Sequence, residues 1–201
     1  MFVLTADQRA STRTGDRVEP LLASLRGWEV EWADHIALPL ERTVGDEVQT
    51  VLTTPLAAVD LALTLARAQE WSVGIGAGPV EHPLGSSARA SSGEAFVLAR
   101  GAVERARSKQ EPVPLVVAGV REDAAEAATA VMQLLASVVR RRSQAGWEVA
   151  DLLTGAVTQK DVAATLGISE QAVSQRVASA MIDEERRARA VAVTLVDAAG
   201  R

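Results

Sequence analysis

One short stretch of the chain carries side chains that are suited to reading nucleic acid. It runs from Gln159 to Val177, and its second half is rich in amides and hydroxyls. Amides and guanidinium groups hydrogen bond to base edges in the major groove, and hydroxyls and cations bind phosphate oxygens. The residues that we expect to contact double-stranded DNA are Gln159, Lys160, Ser169, Glu170, Gln171, Ser174, Gln175 and Arg176.

The spacing within this stretch predicts two helices joined by a tight turn. Gly167 suits the left-handed residue that ends a helix, and Ser169 is a good N-cap for the next one. Ala163 lies where the two helices must approach closely. An inward apolar face at helical spacing is formed by Val162, Leu166, Val173 and Val177.

These residues resemble the helix-turn-helix of bacterial regulators and of sigma-factor-like domains, over roughly residues 147–182. The resemblance implies a recognition helix from Ser169 to about Ala180 in the major groove, braced by a helix from Trp147 to Leu153. An ordinary helical hairpin within a core is the alternative. Residues 183–199 are expected to form one more helix, although the β-branched run 191–196 also suits a strand or wing.

Composition excludes several classes of protein. The 201 residues include no cysteine, which rules out disulfides and thiol chemistry, and only two histidines, His35 and His82, which are too few for a histidine metal site. No apolar run reaches the ~20 residues of a membrane span, and the first residues do not look like a signal peptide. We therefore expect a cytoplasmic protein with no membrane partner.

Charge is divided unevenly along the chain. Residues 1–139 carry 12 basic and 18 acidic side chains, a net charge of −6, whereas residues 140–201 carry 9 and 8, a net charge of +1. A net charge of +1 is small for a DNA-binding unit, so a single copy should bind weakly. A homodimer is expected, because the second contact is then intramolecular.

Residues 1–120 read as an α+β unit. Strands are predicted at 2–6, 35–43, 47–54, 71–80 and 114–119, and helices at 17–25, 55–69, 96–109 and 121–142. A tight turn over 44–47 should join the second and third strands into a hairpin. The order β-α-β-β-α-β predicts a ferredoxin-like antiparallel sheet backed by helices.

Four short motifs occur in order along this unit. They are Asp7 after the first strand, Gly45-Asp46 at the hairpin, GIGAGPV on the fourth strand, and a G-x-x-F-V-x-A-R segment over residues 93–100. Together they resemble the class III nucleotide cyclase homology domain and the SatD-like family of bacterial proteins. The resemblance covers roughly residues 1–120.

The resemblance implies a phosphate-binding site with magnesium. In such cyclases the two aspartates that match Asp7 and Asp46 hold metal ions against a triphosphate, which suits the preference of Mg²⁺ for oxygen ligands. Gly76 and Gly78 would let the backbone approach a nucleotide or another phosphorylated ligand. Alternatively, Asp7 caps a strand end and Asp46 supplies a turn, without metal.

Departures from the cyclase pattern argue against activity. Val97 stands where an asparagine is expected, and Gly101 where an arginine should stabilise charge in the transition state. Losing such a group lowers a rate by about 10²–10³-fold. A Ser- and Gly-rich loop over 82–93 matches no P-loop pattern, and Arg140-Arg141-Arg142 suits either DNA phosphate or the negative end of a helix.

The sequence therefore predicts a DNA-binding transcriptional regulator of three parts. These are a catalytically degenerate cyclase-like sensing or dimerisation domain (residues 1–120), a long connecting helix (121–145) and an all-α helix-turn-helix domain (146–201). Two alternatives stay open: a magnesium-dependent nucleotidyl cyclase or related phosphoryl-transfer enzyme, and a protein-binding adaptor.

Overall fold

The computed structural model describes residues 1–108 and 110–201. Its strands are β1 (Phe2–Gln8), β2 (Ile36–Arg42), β3 (Glu47–Leu52), β4 (Trp71–Ala77) and β5 (Leu115–Gly119). Its α-helices are α1 (Ser11–Thr14), α2 (Val18–Ser24), α3 (Arg26–Glu31), α4 (Pro55–Ala68), α5 (Glu94–Arg107), α6 (Glu122–Arg141), α7 (Gln144–Leu152), α8 (Gln159–Leu166), α9 (Glu170–Ser179) and α10 (Ile182–Ala199).

The five strands form one mixed sheet in an α+β fold, in the order β2-β3-β1-β4-β5. All neighbouring pairs are antiparallel except β4 and β5, which are parallel. The expectation of a purely antiparallel sheet is therefore corrected at this edge. The reason is the connection between the two strands. A helical crossover through α5 returns the chain to the edge of the sheet at which β4 begins, so β5 runs in the same direction as β4.

Helices cover the two faces of the sheet unequally. On the first face α4, α6 and α10 pack over the main hydrophobic core, which includes Leu4, Leu61, Ile75, Met132 and Val196. On the second face α5 packs across β1, β4 and β5. Strand β1 is buried along its whole length because both of its faces are covered.

The predicted elements agree well with those observed, apart from their ends. The hairpin of β2 and β3 forms as predicted, and helix α10 extends over the β-branched run, so this segment is not a strand or wing. The short helices α1 and α3 were not predicted. The helix before β5 was predicted to end at Lys109, which lies outside the described residues.

A second, smaller core holds the carboxyl-terminal helices together. It is built from Val149, Leu153, Val162, Val173 and Val177, together with Ala163, Ala180 and Ile182. Helix α6 and the end of α10 pack instead with the main core. The proposed boundaries at residues 120 and 146 stay predictions. Over residues 1–108 and 110–201, no helix combines the length and the apolar character that crossing a membrane requires.

Candidate nucleic-acid interface and acidic site

Helices α8 and α9 are connected by a turn whose geometry follows from local residues. Thr158 and Asp161 form a reciprocal capping box at the start of α8, with the Thr158 backbone N–H donating to Asp161 Oδ2 at 2.9 Å. Gly167 ends α8 in the left-handed conformation at φ 65°, where a side chain would be strained. The Ser169 hydroxyl then accepts a hydrogen bond from the Ala172 N–H at 3.1 Å and caps α9.

The inward face of this pair packs as the sequence predicted. Val162, Val173 and Val177 are buried in the small core, and α7 packs against α9. Ala163 of α8 is buried in the same core. Leu166 and Ile168 are half-buried at the margin of the same core.

The outward face of α9 carries the polar side chains expected to contact DNA. Gln171, Ser174 and Gln175 are exposed, and their side chains make no hydrogen bond or ion pair with the described residues. Each of them is therefore available to a partner. The remaining exposed members of the predicted set are Gln159, Lys160, Ser169 and Glu170.

Arg176 differs from the other predicted DNA contacts. It is half-buried, and its Nη1 donates to Glu148 Oε2 of α7 at 3.1 Å. This ion pair directs the guanidinium toward the neighbouring helix. Among the predicted DNA contacts, Lys160 is thus the one positively charged residue that forms no ion pair with a carboxylate of the described residues. The interface has little of the positive charge that dominates non-specific DNA binding.

Asp7 and Asp46 lie at the same end of the sheet. Asp7 is opposite Glu47 in the β1–β3 register, and the Gln8 N–H donates to the Asp46 carbonyl at 3.1 Å. Asp7 is buried, and its Oδ2 accepts a hydrogen bond from Arg107 Nη1 at 3.1 Å. Arg107 lies at the end of α5, one hundred positions along the chain, and no sequence signal identified it as the partner of Asp7.

Burial raises the pKa of Asp7 above its ordinary value. The Arg107 guanidinium opposes this shift, whereas the charges of Asp46 and Glu47 add to it. The ionised form of Asp7 is therefore less favourable in the folded protein than in the unfolded chain. We expect the stability of the protein to fall as pH rises from the ordinary aspartate range through the raised folded pKa.

This arrangement does not fit the magnesium site that the resemblance implies. Residues 1–108 and 110–201 contain no group of three or more acidic or histidine side chains placed to hold a metal ion. One oxygen of Asp7 already accepts a hydrogen bond from a cation, Arg107. Asp7 is thus already paired with a cation, and the described side chains do not complete the set of oxygen ligands that magnesium needs.

Gly76 on β4 and Gly78, which follows this strand, lie where the protein packs closely. A Cβ on Gly76 would lie 2.1 Å from the Ala95 carbonyl oxygen and 2.4 Å from the Ala99 nitrogen, both in α5. A Cβ on Gly78 would meet the side chains of Val120 and Leu98 at 3.2 and 3.4 Å. The space beside Gly76 is therefore filled by the α5 backbone, and the space beside Gly78 is bordered by two apolar side chains. Their contact with a phosphorylated ligand stays a prediction.

The arginines of α5 do not replace the missing cyclase arginine. Arg105 binds Glu111 and Glu126, and Arg100 pairs with Glu104 at 3.5 Å on the exposed surface. Val97 and Gly101 are exposed on the same helix. Arg107, the third arginine of α5, does lie at the acidic pair, but it is already paired with Asp7.

A prediction for stability follows from the environment of Asp7. Asp7→Asn should raise the melting temperature at pH 7, because it removes a buried charge that its surroundings disfavour. The gain should shrink toward zero as pH falls to the ordinary aspartate range, where wild-type Asp7 is also neutral. Thermal melts from pH 3 to 8 measure both effects.

Asp16→Asn is the matched control for this prediction. Asp16 is exposed, and its pKa is lowered because Arg42 Nη2 donates to it at 2.6 Å. Its replacement should therefore lower stability at neutral pH, the opposite sign. Equal pH profiles for the two variants would contradict the assigned environment of Asp7.

A network of ion pairs, which sequence reasoning missed, connects the carboxyl-terminal helices to the sheet unit. Two guanidinium groups lie over the Trp147 ring, with Arg67 Cζ at 3.7 Å and Arg142 Cζ at 4.5 Å from its centroid. Arg142 Nη2 donates to Glu185 Oε2 at 2.5 Å and to the Ala180 carbonyl at 3.0 Å. Arg142 therefore contacts α7, α10 and the end of α9.

The same network continues to α4. Arg189 donates to Glu185 at 2.6 Å and to Asp60 of α4 at 2.7 Å. Arg67, also on α4, binds both oxygens of Asp151 at 2.7 and 2.8 Å. These contacts line a junction cavity of about 410 Å³. The arginine triplet was the one sequence signal here, and it did not indicate which of its members is buried.

Comparison with known proteins does not add to these observations. The chain matches no family model, and neither the curated proteins nor the solved structures contain a match.

Proposed function

We propose that this protein is a DNA-binding transcriptional regulator, in which α8 and α9 act as a helix-turn-helix and α9 lies in the major groove. The observation that carries the proposal is the outward face of α9. Gln171, Ser174 and Gln175 stand exposed on a capped helix, and their side chains have no partner in the part of the chain that the structure describes. Side-chain amides in this position can form paired hydrogen bonds with adenine.

We further propose that the sheet unit is a ferredoxin-like, cyclase-derived domain that pairs two chains. The sub-order β4-β1-β3-β2 with two helical connections supports this assignment. Pairing is needed because one copy offers little positive charge to DNA. Two copies bind half-sites one helical turn apart, and the second contact becomes intramolecular.

A double substitution tests the role of α9. Gln171→Ala with Gln175→Ala should weaken binding to the preferred duplex by about 1–3 kcal/mol for each lost base contact. Both side chains are exposed and unpaired, so the melting temperature should stay unchanged. The preferred duplex is selected first from a random pool, and affinity is then measured by fluorescence anisotropy at fixed salt.

Gln110→Ala is the control, because Gln110 is an exposed glutamine in the turn before β5. It should leave affinity unchanged. The same titration gives the stoichiometry, which we expect to be two chains per duplex. If the double variant binds the selected duplex as tightly as the wild type, α9 does not read bases.

A protein-binding adaptor is the second candidate function. The observation that favours it is the ion pair between Arg176 and Glu148, which leaves the α8–α9 surface almost without free positive charge. An adaptor would select no duplex from a random pool at physiological salt. Its α9 face would then bind another protein through the same amides.

A further inference from the structure

The three consecutive arginines that end α6 have different environments. Arg142 is buried in the ion-pair network, with its side chain 2 % exposed. Arg141 is exposed, and Arg140 is half-buried. Neither Arg140 nor Arg141 forms an ion pair with a carboxylate of the described chain. Two adjacent positive charges are therefore left without counterions at one end of the helix.

A third arginine adds to this local excess of positive charge. Arg9 follows β1, is exposed, and has no carboxylate partner among the described residues. Glu70 is nearby, since its carbonyl accepts from the Arg9 N–H at 2.7 Å, but its carboxylate pairs with Arg17 at 3.8 Å. Burial, and then the charge of Arg9, lower the pKa of Arg140. A bound anion would therefore reduce the repulsion between these positive charges.

A cavity lies beside these charges. It measures about 240 Å³ and is lined by Gln69, Pro112, Val113, Ser137, Arg140 and Arg141. Gln69 is held in place because its Nε2 donates to the Arg140 carbonyl at 3.0 Å. The Ser137 hydroxyl donates its one proton to the Gln133 carbonyl at 2.8 Å, so the donors that face an anion here are the arginine guanidinium groups.

We propose that Arg140 and Arg141 form a binding site for a phosphate-type oxyanion in this cavity, with Arg9 adding charge at its edge. Guanidinium groups bind phosphate oxygens through two parallel N–H bonds, and a phosphate dianion neutralises two arginines at once. The phosphate belongs either to a small phosphorylated molecule or to the DNA backbone. The site does not depend on the proposed DNA-binding function.

Titration of the full chain with inorganic phosphate tests the site. Ionic strength is kept constant with chloride, and binding is followed by calorimetry and by the melting temperature. Phosphate should bind the wild type and raise its melting temperature, because a ligand that binds the folded state stabilises it. Arg140→Gln should weaken phosphate binding by about tenfold or more, while the phosphate-free protein stays as stable or becomes more stable.

Two further variants separate binding from other roles of the arginines. Arginines in the last turn also complement the negative end of a helix, and Arg140→Lys keeps that charge. Arg140→Lys should therefore retain stability and still bind phosphate less well, because lysine lacks the planar fork. Arg26→Gln, an exposed arginine on α3, should change neither quantity. Arg141→Gln replaces Arg140→Gln if that variant does not fold.

A random-sequence duplex identifies the source of the phosphate. If DNA supplies it, Arg140→Gln should reduce the slope of log affinity against log salt by about 1. Loss of phosphate binding without a change on DNA indicates a small phosphorylated ligand. If Arg140→Gln changes neither phosphate binding nor duplex binding, the proposed site is wrong. A wild type that binds phosphate but no duplex contradicts the DNA-binding function alone.

Discussion

Glu185→Ala should lower the free energy of unfolding by about 3–5 kcal/mol, the largest single effect that we expect in the carboxyl-terminal helices. The Glu185 side chain is 6 % exposed and accepts hydrogen bonds from both Arg142 and Arg189. Its removal leaves the buried Arg142 guanidinium without a counterion. An uncompensated buried charge costs far more than the ion pair itself contributes.

Glu184→Ala is the matched control, one residue earlier on the same helix. Glu184 pairs with Arg187 at 3.7 Å, and both side chains are more than half exposed. Exposed pairs of this kind contribute about 0–1 kcal/mol, because water and salt screen them. Urea denaturation of the two variants measures the difference. Similar midpoints for both would contradict the buried network.

The same network predicts an acid sensitivity. Burial raises the pKa of Glu185, but the charges and hydrogen bonds of Arg189 and Arg142 outweigh it, so the folded pKa is lowered. A lowered pKa contributes stability above the ordinary glutamate range, and this contribution is lost as pH falls through the folded value. Glu185→Ala should lack this part of the acid-induced loss.

This network has a functional consequence under the proposed function. Arg142 contacts α7, α10 and the end of α9, and Asp60 and Arg67 extend the contacts to the sheet unit. The α9 surface therefore has a defined position relative to the sheet. Breaking the network should weaken dimeric DNA binding, because two half-sites require a set spacing.

Gly76→Ala should destabilise the sheet unit by at least about 3 kcal/mol, at the upper end for adding a methyl group to a packed core. Both nearest atoms belong to the α5 backbone, at 2.1 and 2.4 Å from the added Cβ. Neither can move unless the whole helix shifts. The melting temperature should fall by about 6–12 °C, at ~2–4 °C for each kcal/mol in a chain of this size.

Gly101→Ala is the control, because it adds the same methyl group on α5 itself. A Cβ at Gly101 would meet no atom within 4 Å. Alanine in place of a helical glycine should stabilise α5 by about 0.5–1 kcal/mol. The two variants should therefore shift the melting temperature in opposite directions. An unchanged melting temperature for Gly76→Ala would mean that α5 is not packed as closely as described.

The close packing around Gly76 also bears on the predicted contact of this residue with a ligand. From the sequence, glycine on β4 was equally compatible with close approach of a ligand or of the backbone. A cyclase-like resemblance favoured the ligand, whereas the space is filled by Ala95 and Ala99. The difference arises because a strand pattern reports which residues lack side chains, but not which distant segment occupies the space.

Local sequence alone determined the strands, the hairpin, the α8–α9 turn and its caps. These depend on neighbours a few residues away: Thr158 with Asp161, Gly167 at its own φ, and Ser169 with Ala172. The short apolar run at residues 2–6 likewise predicted that β1 is a buried strand. Such features are set by backbone propensity and short-range hydrogen bonds, which the order of residues contains directly.

Only the tertiary structure decided how the charged residues are used. Of three neighbouring arginines, Arg142 is buried in an ion pair, Arg140 is half-buried and Arg141 is exposed. Asp7 pairs with Arg107, and Arg176 pairs with Glu148. Each outcome depends on segments 28 to 100 residues apart. The parallel direction of β5 depends in the same way on the α5 crossover. Pairing of charges follows from burial and distance after the helices pack, and no local pattern contains either quantity.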